Sequence, residues 1–116
     1  MKLFVLSLVL VGLVFSPALA GEKKLPTLKA LSTTTCPACV QMSKVLDEIN
    51  DKYAGKLAAE KVDLEKNPEV AREYKVRFLP TLLFLDAEGK VVRQEVGYRS
   101  LDEVLEIFKG AGVAIE

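Results

Sequence analysis

The sequence contains no histidine and no tryptophan, and it has only two cysteines, Cys36 and Cys39. Because zinc usually takes about four ligands from cysteine, histidine or carboxylate side chains, a closed zinc site here would have to be completed by carboxylates. Charge of one sign is not in excess either, since the full chain carries 16 basic and 16 acidic residues. There is therefore no electrostatic argument for nucleic acid or an anionic membrane as a partner. The two sulfurs are the main candidates for a functional site.

Residues 1–20 have the pattern of a secretory signal peptide. Lys2 gives a positive start, residues 3–15 are almost entirely apolar, and a small-x-small sequence ends at Ala20. The alternative is an uncleaved anchor, but a span of about fourteen apolar residues is short of the roughly 20 needed to cross a bilayer. We therefore expect cleavage after Ala20, a single domain over residues 21–116, and a periplasmic or secreted location, where disulfides persist.

The two cysteines lie three positions apart, at the point where a strand pattern gives way to a helix pattern. At a helix start, Cys36 would meet unpaired N–H groups and the positive end of the helix dipole, which favour thiolate over thiol. Thiolate is the nucleophile in disulfide exchange. Pro37 would occupy the first helical position, where its fixed φ suits a helix. Cys39, one turn later, would be within reach to resolve a mixed disulfide formed at Cys36, so the pair predicts a redox centre that needs no other cofactor.

Other uses of the pair remain open. A purely structural disulfide is one, although closing so short a loop stabilises a fold by only about 2 kcal/mol. Two thiolates also suit the soft ion Cu(I), so a periplasmic copper carrier is another. A third is a scaffold in which the cysteines are incidental. No metal site is predicted beyond the copper alternative.

Hydrophobic periodicity predicts strands and helices that alternate along the chain. We expect strands over residues 27–32, 56–65, 82–85 and 90–96, and helices from 37 to about 54, from 68 to about 75 and from 101 to 110. The strand–helix–strand order at the start indicates parallel pairing through a right-handed crossover. The expected helix signals are an N-cap at Thr34 or Thr35, an N-cap at Asn67, a capping box from Ser100 to Glu103, and helix ends at Gly55 and Gly110.

Three features together resemble the thioredoxin family. They are Cys36-Pro37-Ala38-Cys39 between the first strand and helix; Lys61-Val62-Asp63-Leu64 running into Asn67-Pro68; and Leu79-Pro80-Thr81 ahead of an apolar strand, with Gly97 before the last helix. The resemblance covers about residues 28–108. It implies an α/β, thioredoxin-like fold. Only 15 residues separate the expected cleavage point from Cys36, so we expect a trimmed form, a central four-stranded mixed sheet flanked by about three helices with residues 56–64 at a sheet edge.

The resemblance also implies roles for residues outside the cysteine pair. The Leu79–Pro80 bond is expected to be cis, which would place the backbone of Leu79 beside the cysteines to pair with an extended substrate segment. Thr35 would contact the same segment. Lys61 matches the lysine that thioredoxins place beneath the active site, although a solvated strand lysine is the alternative.

Two departures from the family pattern bear on the mechanism. Ala30 stands where thioredoxins hold a buried acid six residues before the first cysteine, so Cys39 would lose its proton another way, through water or Lys61. Thr35 replaces the usual tryptophan, and proline directly after the first cysteine also occurs in glutaredoxins and in periplasmic disulfide-forming enzymes. The direction of electron flow is therefore open between a reductase or shuttle, which we favour, and a disulfide-forming oxidant.

The expected partners follow from the same reading. We expect a monomer that exchanges disulfides with exported proteins and is recharged by a membrane thiol–disulfide electron donor, with no nucleic acid bound.

Overall fold

Strands and helices alternate along residues 24–115, the part of the chain that the structure, a computed structural model, describes. The proposed signal peptide at residues 1–20 lies outside these described residues. The elements are β1 (Thr27–Ser32), α1 (Pro37–Lys52), β2 (Ala58–Asp63), α2 (Pro68–Glu73), β3 (Thr81–Leu85), β4 (Val91–Val96) and α3 (Leu101–Gly110). None of the described helices is both long and apolar enough to cross a membrane.

The four strands form one mixed sheet in the order β2-β1-β3-β4. β1 runs parallel to β2 and antiparallel to β3, and β3 runs antiparallel to β4. This confirms the predicted four-stranded sheet with β2 at an edge. Leu31 pairs with Thr81, which in turn pairs with Val96, so the end of β1, the start of β3 and the end of β4 meet at one end of the sheet. The β3–β4 turn, closed by a 2.9 Å hydrogen bond from Gly89 N–H to the Asp86 carbonyl, lies at the opposite end.

The sheet is covered on both faces. α1 and α3 cover one face, and the buried side chains there are Leu28, Ala30, Met42, Val45, Leu46, Ile49, Leu57, Ala59, Leu82, Phe84, Val104 and Phe108. Phe84 and Phe108 meet edge to face, with ring centroids 5.0 Å apart. On the other face, α2 packs over a smaller cluster of Leu31, Leu64, Leu83 and Leu85. Every residue of β3 is buried, as its unbroken apolar run predicts.

The N-cap of α1 differs from the prediction. Neither Thr34 nor Thr35 caps the helix; the N-cap is Cys36, whose sulfur accepts the backbone N–H of Cys39. Cysteine is not among the usual cap residues, which is why the sequence favoured a threonine. Pro37 follows at the first helical position, as predicted.

Other helices and strands also begin or end at residues that differ from the prediction. β2 is shorter than the predicted 56–65, because residues 53–57 form a turn in which the N–H groups of Lys56 and Leu57 both donate to the Tyr53 carbonyl. That turn contains Gly55 with φ +81°, but α1 already ends at Lys52.

The cap signals of the two later helices had different outcomes. Gly110 is the last residue of α3, as predicted, and the left-handed residue after the helix is Gly112, with φ +84°. The capping box of Ser100 and Glu103 is confirmed in both of its hydrogen bonds. Asn67 is at the N-cap position of α2, but its side chain donates to the Asp63 carbonyl instead of capping the helix.

Candidate redox site

Cys36 is the residue at which α1 begins. Its backbone is extended, with φ −90° and ψ 119°, and its carbonyl accepts the N–H of Val40 at 3.1 Å, the first bond of the helix. Its Sγ accepts the backbone N–H of Cys39, also at 3.1 Å. Pro37 is exposed and has no N–H to leave unpaired. The outer sulfur therefore lies on the helix terminus, with a backbone donor aimed at it and partial access to solvent.

Cys39 has a different environment from Cys36. Cys39 is only 3% exposed, and both cysteines are free thiols. Burial, reinforced by the hydrogen bond with Cys36, raises the pKa of the Cys39 thiol from 9.0 to about 11. The backbone of Thr33, which hydrogen-bonds the Cys39 sulfur, and the positive charge of Lys61 act in the opposite direction. Cys39 is consequently a protonated, sheltered thiol at neutral pH, one helical turn behind the sulfur that solvent reaches.

The loop before β3 faces the same end of the sheet as the cysteines. The Leu79–Pro80 peptide bond is cis, as the resemblance implies. The Pro80 carbonyl accepts the N–H of Gly97 at 2.8 Å, which fixes this loop against the end of β4. Because Thr81 pairs with Leu31, and β1 leads directly into the cysteine loop, the two loops are neighbours. Pro80 itself is buried and Leu79 is partly exposed.

A set of exposed apolar side chains borders these loops. Among the described residues, the large hydrophobic side chains that are exposed are Val40, Phe78, Val96 and Tyr98. Each is next or nearly next in sequence to Cys39, Pro80 or Gly97, and Phe78 is 67% exposed. Clustered exposed apolar groups commonly mark a binding surface. Sequence reasoning missed these residues; the available signal was the aromatic side chains beside the Pro80 and Gly97 loops.

Thr35 and Lys61 have less prominent positions. Thr35 is exposed in the loop immediately before Cys36. Lys61, on β2, is exposed, and its Nζ donates to Ser43 Oγ on α1 at 3.1 Å. Its charge is the smallest of the influences on the Cys39 pKa. Ala30, its partner across the β1–β2 pair, is buried among apolar side chains, so that position supplies no carboxylate to Cys39.

The family model of the thioredoxin-like domain matches residues 16–112 of this chain. The chain belongs to the thioredoxin family. It is 29% identical to the thioredoxin of Alicyclobacillus acidocaldarius over 90 residues, which is 78% of this chain and 83% of that one. It is 37% identical to the thioredoxin of Chlorobaculum thiosulfatiphilum over 62 residues, an alignment that spans 53% of this chain and 56% of that relative.

Solved structures agree on the thioredoxin fold. A thioredoxin-like protein of Clostridium perfringens is 31% identical, with a TM-score of 0.68 over 82% of this chain and 77% of that one. Chloroplastic thioredoxin z, at 19% identity, has a TM-score of 0.69 over 77% of this chain and 80% of that one, which shows the fold alone. The predicted family is confirmed, and so, over residues 24–115, is the predicted four-stranded mixed sheet with three helices. Together with the Cys36–Cys39 pair at the start of α1, they support a thiol–disulfide oxidoreductase.

Proposed function

We propose that this chain is an exported thioredoxin-family reductase or shuttle, in which Cys36 is the nucleophile and Cys39 the resolving thiol. The Cys36 thiolate attacks one sulfur of a client disulfide, forming a mixed disulfide and releasing the first client sulfur as a thiolate. Cys39, once deprotonated, attacks Cys36 Sγ. The Cys36–Cys39 disulfide forms, the bond to the client breaks, and the second client sulfur leaves as a thiolate that takes a proton from solvent. Two electrons pass from the protein to its client.

The difference in exposure between the two sulfurs is the observation that carries this assignment. Cys36 reaches solvent at a helix terminus, whereas Cys39 is 3% exposed one turn behind it. A client sulfur can approach only the outer position, so the first attack belongs to Cys36. The 3.1 Å hydrogen bond between Cys39 N–H and Cys36 Sγ fixes the relative position of the two residues for the second attack.

The client is proposed to bind as an extended segment across the neighbouring loops. The backbone of Leu79 pairs with it, and Thr35 contacts it from the cysteine loop. The exposed side chains of Phe78 and Tyr98 supply apolar area on either side of the Pro80 loop. An exposed apolar surface of this kind suits unfolded or loosely folded clients whose apolar residues are accessible.

The signal-peptide pattern of residues 1–20 supports an exported location, and clients are then exported proteins. A reductase outside the cytosol needs a source of electrons, which we propose is a membrane thiol–disulfide donor. The protein is proposed to act as a monomer, with no cofactor beyond its own cysteine pair.

Reduction of insulin by dithiothreitol tests the mechanism. The wild-type protein is expected to accelerate it, and Cys36→Ser is expected to abolish the acceleration. The matched variant Cys39→Ser is expected instead to accumulate mixed disulfides with clients, visible on non-reducing gels. Insulin reduction by Cys36→Ser at the wild-type rate would refute the assignment.

The reduction potential of the pair tests the direction of electron flow. A value near −270 mV, as in thioredoxin, is expected, whereas one near −120 mV would make the protein a disulfide-forming oxidant. The copper-carrier alternative predicts tight one-to-one Cu(I) binding with negligible insulin reduction, and that result would replace this proposal.

A further inference from the structure

The resolving step leaves the Cys39 proton to be accounted for. Cys39 must become a thiolate before it can attack, yet it is a buried thiol, and the core position of Ala30 offers it no carboxylate. Some other group has to carry the proton from the interior to solvent. This question rests on the proposed function, in which Cys39 is the resolving residue.

Ser32, the last residue of β1, has an unusual environment. It is 2% exposed, and its Oγ has no hydrogen-bond partner among residues 24–115. Most buried polar side-chain atoms have a partner, and an exception calls for a functional or solvent-based reason. By strand alternation Ser32 lies on the same face as Leu28 and Ala30, the face that α1 covers. The hydroxyl is therefore on the side of the sheet where Cys39 is buried.

A small pocket adjoins this hydroxyl. Its volume is about 30 Å³, and its lining residues are Ser32, Thr33, Thr34, Lys61 and Asp63. Such a volume has room for one or two water molecules, since about 10–15 Å³ suffices for one. Thr34 and Lys61 are exposed, so the pocket connects the buried Ser32 to the surface. Its inner wall includes Thr33, whose backbone hydrogen-bonds the Cys39 sulfur.

Asp63 brings a carboxylate to the same place. It pairs with Ser32 in the parallel β1–β2 register, so the two side chains lie side by side on one face of the sheet. Its Oδ1 accepts the N–H of Glu65 at 2.8 Å, which orients the carboxylate. The charged and titratable groups that act on the inner thiol are Cys36 on α1 and Lys61 on β2, and Asp63 on β2 lines the pocket beside Ser32.

We propose that water bound to the Ser32 hydroxyl in this pocket carries the Cys39 proton to Asp63 and on to solvent during the resolving step. A water molecule in the pocket, bound to the otherwise unpartnered Ser32 Oγ, accepts the Cys39 proton and passes one to the Asp63 carboxylate. The Cys39 thiolate then attacks Cys36 Sγ and displaces the client thiolate, and the proton on Asp63 exchanges with solvent. Ser32 and Asp63 return to their starting states, so the relay consumes nothing.

The experiment separates the two exchange steps by stopped flow. The reduced full-length mature protein is mixed with the aromatic disulfide dithiobis-nitrobenzoate, whose released thiolate absorbs visible light. Attack by Cys36 releases the first thiolate, and attack by Cys39 releases the second. The wild-type protein is expected to give two phases. Absence of the first phase would refute the proposed role of Cys36, independently of the relay.

Ser32→Ala is the decisive variant. It is expected to leave the first phase unchanged and to slow the second by about 10-fold or more at neutral pH. General acid–base catalysis typically contributes about 10²–10⁴-fold to a rate, so a loss of this size is what removal of a relay group should produce. Ser32→Thr, which keeps a hydroxyl, is expected to restore most of the rate. The matched control is Thr27→Val, which removes a hydroxyl from the other end of β1 and is expected to change neither phase. A second phase at the wild-type rate in Ser32→Ala would overturn the relay.

The pH dependence distinguishes a relay from a structural effect. As the pH approaches 11, Cys39 ionises without help, so the deficit of Ser32→Ala is expected to shrink. A deficit that stayed constant with pH would indicate misplacement of Cys39 and would overturn the proposal.

Asp63→Asn keeps the proposal testable should Ser32→Ala fail to fold. Removing a negative charge from this pocket would by electrostatics alone leave the ionisation of Cys39 unchanged or ease it, and so would not slow the second phase. The relay predicts the opposite, a slower second phase with an unchanged first phase. A faster or unchanged second phase would exclude Asp63 as the proton acceptor and overturn the relay as proposed.

Discussion

The backbone N–H of Cys39 donates a 3.1 Å hydrogen bond to Cys36 Sγ, so the residue that carries the inner sulfur also holds the outer one. The same bond has opposite meanings for the two side chains. It gives the exposed sulfur a donor at the start of α1, and it ties that sulfur to a neighbour whose own proton is retained by burial. The two cysteines are one helical turn apart, and that turn places one sulfur at the surface and the other in the interior.

The first prediction concerns alkylation. Limiting iodoacetamide at about pH 7 is expected to label Cys36 in the reduced folded protein and to leave Cys39 unlabelled, because the Cys39 pKa is about 11 and its side chain is buried. Mass spectrometry of the tryptic peptides measures the ratio. Denatured protein, which should label at both positions, is the control. Equal labelling of the folded protein at that pH would contradict the structure.

The second prediction concerns alkaline stability. The pKa of Cys39 is raised in the folded state from 9.0 to about 11, so the folded protein holds the proton more tightly than the unfolded chain. Its contribution to stability is complete below pH 9 and is lost as the pH rises towards 11. Urea unfolding of the reduced protein should show this loss.

Other groups titrate in the same alkaline range, so the measurement needs a reference. Reduced Cys39→Ala lacks the thiol, and the oxidised protein holds it in a disulfide. Both are expected to lose less stability over that interval than the reduced wild type. Parallel curves of unfolding free energy against pH for the wild type and Cys39→Ala would show that burial does not raise the pKa of this thiol.

The third prediction concerns the capping box of α3. Ser100→Ala removes the side chain that accepts the Glu103 N–H at 3.2 Å and is expected to lower the free energy of unfolding by about 1 kcal/mol. Ser100→Asp keeps an acceptor and should retain most of the stability. Chemical denaturation measures both variants. Neither Ser100 nor Glu103 is among the residues of the proposed client surface, so insulin reduction by the folded variants should be unchanged; a large loss of activity would show that the start of α3 takes part in client binding.

The fourth prediction concerns the edge strand. The Asn50 side chain on α1 donates to the Ala59 carbonyl at 2.9 Å and accepts the Ala59 N–H at 3.1 Å. Asn50→Ala is expected to cost about 1–3 kcal/mol, because two backbone groups of β2 lose their partner. Hydrogen exchange at the Ala59 amide should accelerate as well. Lys52→Ala, which breaks an exposed ion pair with Glu48, is the control and should change stability little. Unchanged exchange at Ala59 would show that the bonds are not formed.

Local signals account for most of what the sequence predicted about the fold. Two such signals, each contained in a few consecutive residues, were confirmed: the capping box from Ser100 to Glu103 and the apolar run of residues 82–85. The β2 boundaries were wrong, because the turn at Tyr53 extends further than the hydrophobic pattern shows. The pairing of Asn50 with Ala59 joins two elements and has no local signature.

The site residues that belong to a sequence motif could be predicted, whereas those whose environment depends on tertiary packing could not. The spacing of Cys36 and Cys39 identifies them as a redox pair, and the cis bond before Pro80 followed from the family pattern. Ser32 could not be identified from the sequence, because a serine at the end of a strand carries no signal by itself. Its hydroxyl becomes notable only because α1 covers it and leaves it without a hydrogen-bond partner among residues 24–115. The exposure of Phe78 likewise depends on how the loop before β3 turns.

The β3–β4 turn has a practical consequence. It lies at the end of the sheet opposite the cysteines, and Glu88 and Gly89 there are exposed. A peptide tag or fluorophore introduced at this turn would project away from the sulfurs. Protein immobilised through it on an electrode or resin would present its reactive thiol outward, towards the molecules in solution.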